Sequence, residues 1–219
     1  MRPTNSRSLP LRVLLVDDHA VVRFGFRMLL DATDDIRVVA EADSAEAAYQ
    51  LIPTAKPDVI VMDISLGGTM GVEATRRIVA RDKMARVLGL SSHEDPSYVR
   101  YMLKAGALGY LSKRSAPDEL MHAIRQVAEG RMYIDTQLSQ RMALEEFNGE
   151  KSPIEVLSER EFGVFIQLAK GASVNQIADM LNISPRTVGT HLYNVKQKLG
   201  VANQAELALI TVRHGLIEL

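Results

Sequence analysis

The sequence predicts an α/β doubly wound domain followed by a smaller all-α domain. Over residues 11–130, five apolar runs rich in Val, Ile and Leu alternate with amphipathic helical patterns. Nearly continuous apolar runs fit strands buried on both faces, and repeated βα units with right-handed crossovers give a five-stranded parallel sheet of order 2-1-3-4-5. From residue 153 onwards the strand signal stops, and the remaining patterns predict a four-helix domain.

The elements of the first domain follow from this alternation. Ser44 and Ser115 are predicted helix N-caps, because acidic residues lie in the first turns that would follow them. Strand patterns lie near residues 11–16, 36–41, 58–63, 86–91 and 108–111, and helical patterns lie near residues 19–31, 44–55, 70–83, 95–105 and 115–130.

Composition divides the rest of the chain. Residues 1–10 are predicted to form a flexible tail ahead of the domain at 11–130. Residues 131–153 are rich in Gln, Glu, Gly and Pro, which predicts a linker with a short helix near 136–146. The helical domain is predicted to occupy residues 154–219.

The overall composition excludes several classes of protein. The chain has 219 residues, is 47% apolar and 24% charged, and contains no cysteine, which excludes disulfides and thiolate metal sites. Apolar runs fall short of the ~20 residues that span a bilayer, and the first residues lack a signal-peptide core, so we expect a soluble cytoplasmic protein with no membrane partner. A net charge of −1 means that DNA binding must rest on local placement of charge.

Polar side chains follow four of the predicted strands at their carboxyl ends. Asp17 and Asp18 end the first run, Asp63 ends the third, Ser91 ends the fourth, and Lys113 follows the fifth. Because an open parallel sheet gathers functional groups at this edge, we expect these side chains to share one crevice. An isolated Asp at a strand end is usually a turn or cap residue, but five matching positions in strand order make that reading improbable.

The chemistry of this crevice favours phosphoryl transfer. Three carboxylates repel one another and attract a cation, and Mg²⁺ is the simplest because it takes oxygen ligands and usually accompanies phosphate. Asp63 is the predicted nucleophile, since a carboxylate can form an aspartyl phosphate, while Asp17 and Asp18 would hold the metal. Lys113 would neutralise one phosphoryl oxygen and Ser91 would donate to another, which supplies the positioning and charge neutralisation required.

Four fragments of this domain resemble the receiver domain of bacterial two-component response regulators. They are VDDH at 16–19, PDVIVMD at 57–63, LSS at 90–92 and AGALGYLSK at 105–113. The resemblance implies that Asp63 accepts a phosphoryl group from a sensor histidine kinase, that Asp18 ligates Mg²⁺ directly, and that Asp17 acts through water. It also implies that the backbone carbonyl of Ser65 is a ligand and that Tyr110 is an aromatic switch residue.

One loop departs from the receiver pattern. The family often has Met-Pro-Gly after the phosphoacceptor, whereas residues 65–71 read SLGGTMG. Glycine can still make this turn, with more conformational freedom than proline has.

The C-terminal patterns predict a helix-turn-helix. Ser158 and Glu161 have the spacing of a capping box, and Ser173 is the predicted cap of a second helix. Ser184 is the predicted cap of a third helix, with Pro185 at its first position, and a fourth helix is predicted from about residue 203 to 214. Periodicity alone also fits a generic four-helix bundle.

Sequence detail favours the DNA-binding interpretation. The fragments LSERE at 157–161, GAS at 171–173, ISPRTV at 183–188 and KLGV at 198–201 resemble the LuxR-type domain. The complete chain thus resembles a response regulator of the NarL/FixJ family.

The predicted recognition helix turns one face outward. Thr190 and Tyr193 are candidates for base contacts because they lie on the face opposite the apolar stripe. His191 is left open between a phosphate contact and packing. The other predicted DNA-binding residues are Arg186, Thr187, Gly189, Asn194, Lys196 and Lys198.

Two positions depart from the DNA-binding family, which commonly has lysine where this chain has Asn175 and Gly189. Both changes remove a positive charge, so we predict a shallow salt dependence of DNA binding. On the last helix, Leu207, Leu209 and Val212 are predicted both to close the bundle and to pair two DNA-binding domains, because a two-fold dimer suits symmetric half-sites.

The resemblance implies a phosphorylation-gated transcription factor and not an enzyme acting on a separate substrate. Its partners would be a sensor histidine kinase, double-stranded promoter DNA, a second phosphorylated copy and RNA polymerase. Without phosphate, the first domain would hide part of the recognition helix; phosphorylation would draw in Ser91, Lys113 and Tyr110 and release it.

Three other interpretations compete with it. A metal-dependent phosphatase needs a general acid near its nucleophile, and Ser65, two residues after Asp63, is a poor acid. A phosphate-independent DNA-binding protein ranks low because all five receiver residues are present. An acyl-homoserine-lactone sensor does not fit the βα-repeated first half.

Overall fold

The computed structural model describes residues 9–66, 71–148, 153–181, 183–213 and 216. In this part of the chain, six parallel strands form one sheet of order β2-β1-β3-β4-β5-β6. The strands are β1 (Leu11–Val16), β2 (Ile36–Ala42), β3 (Val59–Asp63), β4 (Val87–Ser91), β5 (Gly109–Ser112) and β6 (Tyr133–Ile134). The helices around the sheet are α1 (Ala20–Asp31), α2 (Ala45–Ala55), α3 (Gly71–Arg81), α4 (Pro96–Lys104), α5 (Pro117–Ala128) and α6 (Thr136–Asn148).

The doubly wound class and the order of the first five strands are confirmed, but the predicted count of five strands is wrong. Strand β6 pairs in parallel with β5, with Tyr133 opposite Gly109 and Ile134 opposite Tyr110. It lies in the range predicted to be a linker, and α6 follows it there with its first turn capped by Asp135. A strand of two residues shows no periodicity, so the sequence pattern could not reveal it.

The sheet is buried on both faces because its strands are apolar along their whole length. All five residues of β3 and of β4 are buried. Alternate residues of β1 enter different cores: Leu14 and Val16 join one cluster, and Val13 and Leu15 join the other. Burying a Val or Leu side chain stabilises the fold by about 1.5–3 kcal/mol, so packing on both faces holds the strands in the interior.

Two predicted caps have different outcomes. Ser44 caps α2 by accepting from the Ala47 amide at 3.3 Å. Ser115 does not cap α5, because that helix begins at Pro117, whose fixed φ suits the first helical position. The Ser115 hydroxyl instead donates to Asp135 Oδ2 at 2.6 Å.

The C-terminal part is helical, as predicted. The capping box of Ser158 and Glu161 opens α7, Ser184 accepts from Thr187 at the start of α9, and Gly200 ends α9 with φ of 65°. His214, the predicted end of the last helix, and the predicted glycine turn at 67–70 lie outside the described residues. The elements are a 3₁₀ helix (Pro153–Val156), α7 (Glu159–Ala169), α8 (Val174–Leu181), α9 (Pro185–Leu199) and α10 (Gln204–Arg213).

Helix α4 joins the two domains. The Tyr101 ring stacks on Phe162 of α7 with centroids 4.4 Å apart, and the Tyr101 hydroxyl donates to the Leu157 carbonyl at 3.0 Å. Arg160 of α7 also lies 2.8 Å from Glu73 of α3. Both domains therefore share one continuous core. In the described ranges no helix is long and apolar enough to cross a membrane.

Candidate functional sites

The predicted acidic residues come together at the carboxyl edge of the sheet. Strands β1 and β3 are adjacent and in parallel register, which brings Asp17 and Asp18 next to Asp63. Ligand atoms of these three residues and of His19 all lie within 4.8 Å of one another. Asp17 and Asp63 are buried, at 4% and 1% exposure, so two carboxylates share a site with little access to water.

Lys113 reaches this cluster from β5. Its Nζ lies 2.7 Å from Asp17 Oδ2 and 3.0 Å from Asp63 Oδ2. Its backbone amide donates to the Ser91 carbonyl at 2.7 Å, which fixes the loop after β5 to the end of β4. Burial works against the ammonium form, but Asp63 and Asp17 outweigh it and raise the pKa of Lys113. The side chain therefore stays charged between the two acids.

Asp63 is the least accessible of the carboxylates. Burial raises its pKa and the neighbouring Asp17 adds to this, while Lys113 and the Ser65 amide act in the opposite direction. Asp63 Oδ1 accepts from the Ser65 amide at 3.0 Å. Asp63 Oδ2 forms an ion pair with the Lys113 ammonium and accepts no other hydrogen bond from the described residues.

The residues present fit Mg²⁺. Asp63 Oδ2 is a buried carboxylate oxygen whose only neighbour among the described donors is the Lys113 ammonium, and oxygens are the ligands that this cation takes. Asp17 and Asp18 supply further carboxylate oxygens in the same cluster. His19 was not predicted as a member: its Nδ1 lies 2.8 Å from Asp18 Oδ1, and its amide donates to Asp17 Oδ1. Its position directly after the two acids was the available signal.

The two predicted switch residues, Ser91 and Tyr110, both hold His93. Ser91 Oγ accepts from the His93 amide at 3.0 Å, and the Tyr110 hydroxyl donates to the His93 carbonyl at 2.6 Å. Tyr110 is fully buried, so it already has the inward position expected of the phosphorylated form. Burial, chiefly, raises the pKa of its hydroxyl far above the usual value, which keeps it a neutral donor.

The outward face of α9 is exposed. Arg186, Gly189, Thr190 and Tyr193 all reach solvent, with Tyr193 at 64% exposure. The first domain does not cover these residues, and the expectation that phosphorylation uncovers part of the helix stays a prediction. The first domain packs on α7 instead, through the core around Phe162, and leaves the recognition surface open.

Several predicted phosphate contacts are engaged within the domain. Lys198 Nζ lies 2.6 Å from Glu161 Oε2 of α7, and Lys196 Nζ donates to the Ala202 carbonyl at 3.3 Å. Burial opposes ionisation of Glu161, but hydrogen bonds from Lys198 and Ser158 outweigh it and lower the pKa of Glu161. Lys198 thus joins the recognition helix to α7.

The remaining predicted residues are half-buried. Thr187 lies in the first turn of α9, where its hydroxyl is 2.8 Å from that of Ser184, and Asn194 lies on the flank of the helix. The buried Nδ1 of His191 has no hydrogen-bond partner in the described part of the chain.

The predicted dimerisation residues lie on two faces of α10. Leu207 is fully buried in the chain's own core, so it closes the bundle and is not accessible to a partner. Leu209 and Val212 are 56% and 46% exposed.

Comparison with known families defines the class. Residues 13–125 match the family described as response regulator receiver domain, and residues 155–211 match the bacterial regulatory proteins of the luxR family. The chain belongs to the response regulators of the NarL/FixJ family, with a receiver domain and a LuxR-type helix-turn-helix domain.

Individual relatives extend over nearly the whole chain. Response regulator UvrY of Escherichia coli K12 is 41% identical over 94% of this chain and 95% of its own length. Response regulator GacA of Pseudomonas aeruginosa is 37% identical over 95% of this chain and 98% of its own length. A structure of RcsB from Salmonella enterica serovar Typhimurium, bound to promoter P1flhDC with the phosphomimetic BeF3−, has a TM-score of 0.74 at 25% identity, covering 91% of this chain and 97% of RcsB.

Proposed function

We propose that this response regulator accepts a phosphoryl group on Asp63 from a sensor histidine kinase and that the modification controls transcription. The observation that carries the proposal is the position of the buried Asp63 Oδ2, 3.0 Å from the Lys113 ammonium and beside two further carboxylates. A carboxylate can act as the nucleophile in phosphoryl transfer, and the neighbours of Asp63 supply the charges that the transfer requires.

The transfer exchanges one bond to phosphorus for another. A carboxylate oxygen of Asp63 bonds to phosphorus as the bond from phosphorus to the kinase imidazole nitrogen breaks, and the electron pair stays on the imidazole. Lys113 would pair with one phosphoryl oxygen, and Ser91 Oγ would donate to another. Held by Asp17, Asp18, Asp63 and the Ser65 carbonyl, Mg²⁺ would neutralise charge on the incoming phosphoryl group.

The output would be promoter binding through α9. The open face of Arg186, Thr190 and Tyr193 suits base and phosphate contacts in a major groove. The exposed Leu209 and Val212 suit a two-fold contact between phosphorylated copies. The related RcsB is bound to promoter DNA in the presence of a phosphomimetic, which supports the same output here. We propose that the chain acts as a regulator and not as an enzyme with a separate substrate.

Intact mass tests the acceptor chemistry. The chain is incubated with Mg²⁺ and acetyl phosphate, alongside Asp63→Asn and the control Asp82→Asn, whose carboxylate lies on the surface and accepts from the Met84 amide. We expect one phosphoryl adduct on the wild type and on the control, and none on Asp63→Asn. An adduct that persists on a folded Asp63→Asn protein would contradict the proposal.

A further inference from the structure

A series of contacts connects the acidic site to helix α4. It begins at the two predicted switch residues, Ser91 and Tyr110, and passes through His93. Ser91 Oγ accepts from the His93 amide, and the Tyr110 hydroxyl donates to the His93 carbonyl, at 3.0 and 2.6 Å. The backbone of His93 is therefore held on both sides by hydroxyls of the phosphoacceptor site. A movement of the Ser91 side chain towards a phosphoryl oxygen would draw Oγ, the acceptor of one of these two bonds, away from the His93 amide.

From His93 the contacts continue into the DNA-binding domain. The imidazole stacks on Tyr98 of α4 with centroids 4.7 Å apart and an angle of 7° between the planes. The Tyr98 hydroxyl donates to the Leu216 carbonyl at 3.0 Å, and its ring meets the edge of Phe162 at 5.1 Å. Tyr98 is 1% exposed and Leu216 is fully buried, so this interdomain contact excludes water.

The same helix makes a second contact of the same kind. Tyr101, three residues after Tyr98, donates to the Leu157 carbonyl, also at 3.0 Å, and stacks on Phe162. Residues three apart lie on the same face of a helix, so both tyrosines face the DNA-binding domain. Of the two, Tyr98 is the one whose ring stacks on His93.

We propose that Tyr98, positioned by His93, is the interdomain contact that phosphorylation breaks, whereas the Tyr101 contact is insensitive to it. The proposal rests on the proposed function of Asp63. When Ser91 Oγ turns to the phosphoryl group, the His93 amide loses its acceptor, the backbone shifts, and the stacked ring carries the Tyr98 hydroxyl away from Leu216. The expected result is a weaker contact between the receiver and the C-terminal end of the DNA-binding domain. It is not exposure of α9, whose outward face is already accessible to solvent.

Removal of the two tyrosine hydroxyls is expected to affect the equilibrium between closed and open domains in different ways. If a contact is present only in the unphosphorylated form, its removal changes only that form. If a contact is present in both forms, its removal changes both by the same factor. A net contribution of about 1 kcal/mol for a hydrogen bond corresponds to a factor of about five in an equilibrium constant.

Single-molecule energy transfer measures, in the full chain, the equilibrium between a closed form with the two domains in contact and an open form with the domains apart. The chain has no cysteine, so Gln50→Cys on α2 and Gln197→Cys on α9, both exposed, accept dyes selectively. Into this background we introduce Tyr98→Phe or Tyr101→Phe, each of which removes one hydroxyl and keeps the ring. The constant for domain opening is measured before and after incubation with Mg²⁺ and acetyl phosphate, and the extent of phosphorylation is read by intact mass.

We expect Tyr98→Phe to raise the opening constant of the unphosphorylated form about fivefold and to leave the phosphorylated form within about twofold. Tyr101→Phe should raise both forms by a similar factor. If Tyr98→Phe and Tyr101→Phe change the opening constants in the same way, whether in one form or in both forms, the assignment to Tyr98 is overturned.

His93→Ala tests the link to the switch. It should reproduce the effect of Tyr98→Phe, and the double variant should add little, because coupled residues are not additive. Additive effects would contradict the relay through His93. Absence of a phosphoryl adduct on the wild type would refute the proposed function itself, whereas an adduct with the wrong opening pattern refutes only the relay.

Discussion

The acidic crevice and the outer face of α9 differ in burial, and therefore in how strongly water screens their charges. In the crevice, Asp17 and Asp63 are almost fully buried and are held by one ammonium, so charge acts at short range with little screening by water. On α9, Tyr193 and its neighbours stand in solvent, where individual charges count for little and shape and number of contacts decide. The comparison teaches that single substitutions should have large effects in the crevice and modest ones on the helix.

The largest effect is expected at Lys113. Replacing it with Met leaves two buried carboxylates without their cation, so we expect the rate of Asp63 phosphorylation by acetyl phosphate to fall about 100-fold, by loss of a preorganised charge. Lys104→Met, on the exposed end of α4, is the matched control and should phosphorylate at the wild-type rate. Radiolabel incorporation over time measures both. A Lys113→Met rate close to the control would remove the ammonium from the mechanism.

A smaller effect is expected at Gly189. A Cβ at this position meets nothing within 4 Å, so lysine fits without displacement. Gly189→Lys should steepen the dependence of log Kd on log salt by about one phosphate contact, a slope change of about 0.9, and tighten binding accordingly. Gly189→Ala separates the charge from the gain in helix stability, which is about 1 kcal/mol.

Fluorescence anisotropy on a promoter fragment, titrated with salt, supplies the slope. The wild type should show a shallow dependence of log Kd on log salt. A steep slope for the wild type, equal to many phosphate contacts, would contradict the predicted weak electrostatic component.

The smallest effect is expected at the Glu161–Lys198 pair. The pKa of Glu161 is lower in the folded chain than in the unfolded chain, so its contribution to stability is present above the unfolded value and is lost as pH falls through the folded value. Because Lys198 is 40% exposed, we expect Glu161→Gln to cost about 1 kcal/mol at pH 7.

Urea unfolding of the wild type and Glu161→Gln between pH 2.5 and 7 checks this pair. The difference in the free energy of unfolding should narrow below about pH 4, near the ordinary value for a free glutamate. A difference that stays constant over the whole range would show that the two side chains are not electrostatically coupled.

The acidic site could be predicted because it depends on topology alone. Once β1 and β3 are recognised as neighbouring parallel strands, the residues that end them must meet, whatever the details of packing. The contact between domains could not be predicted in this way. Tyr98 and Tyr101 look like ordinary amphipathic positions of α4, and nothing in their local sequence indicates which surface they will face. Their partners are backbone carbonyls, which leave no sequence signal.

Strand β6 and the start of α5 depart from the local sequence pattern. Strand β6 was missed because two residues carry no periodicity, and the Ser115 cap was wrong because Pro117 fixes the helix start two residues later. In each case a tertiary contact, or one residue with a fixed backbone angle, overrode a local propensity. The choice of α7 as the surface that contacts the first domain is likewise not indicated by the sequence pattern.

Strand β6 has a consequence for how far the DNA-binding domain can travel. With β6 paired to the sheet and Asp135 bonded to Ser115, the start of α6 is anchored, and its 13 residues form an arm of about 20 Å. Only residues 149–152 lie between the end of this arm and the 3₁₀ helix at Pro153–Val156. Four residues span at most ~14 Å, so a domain released as we propose would stay at a high effective concentration beside the receiver. We then expect rapid reassociation, with the contacts at α4 setting the population of the closed form.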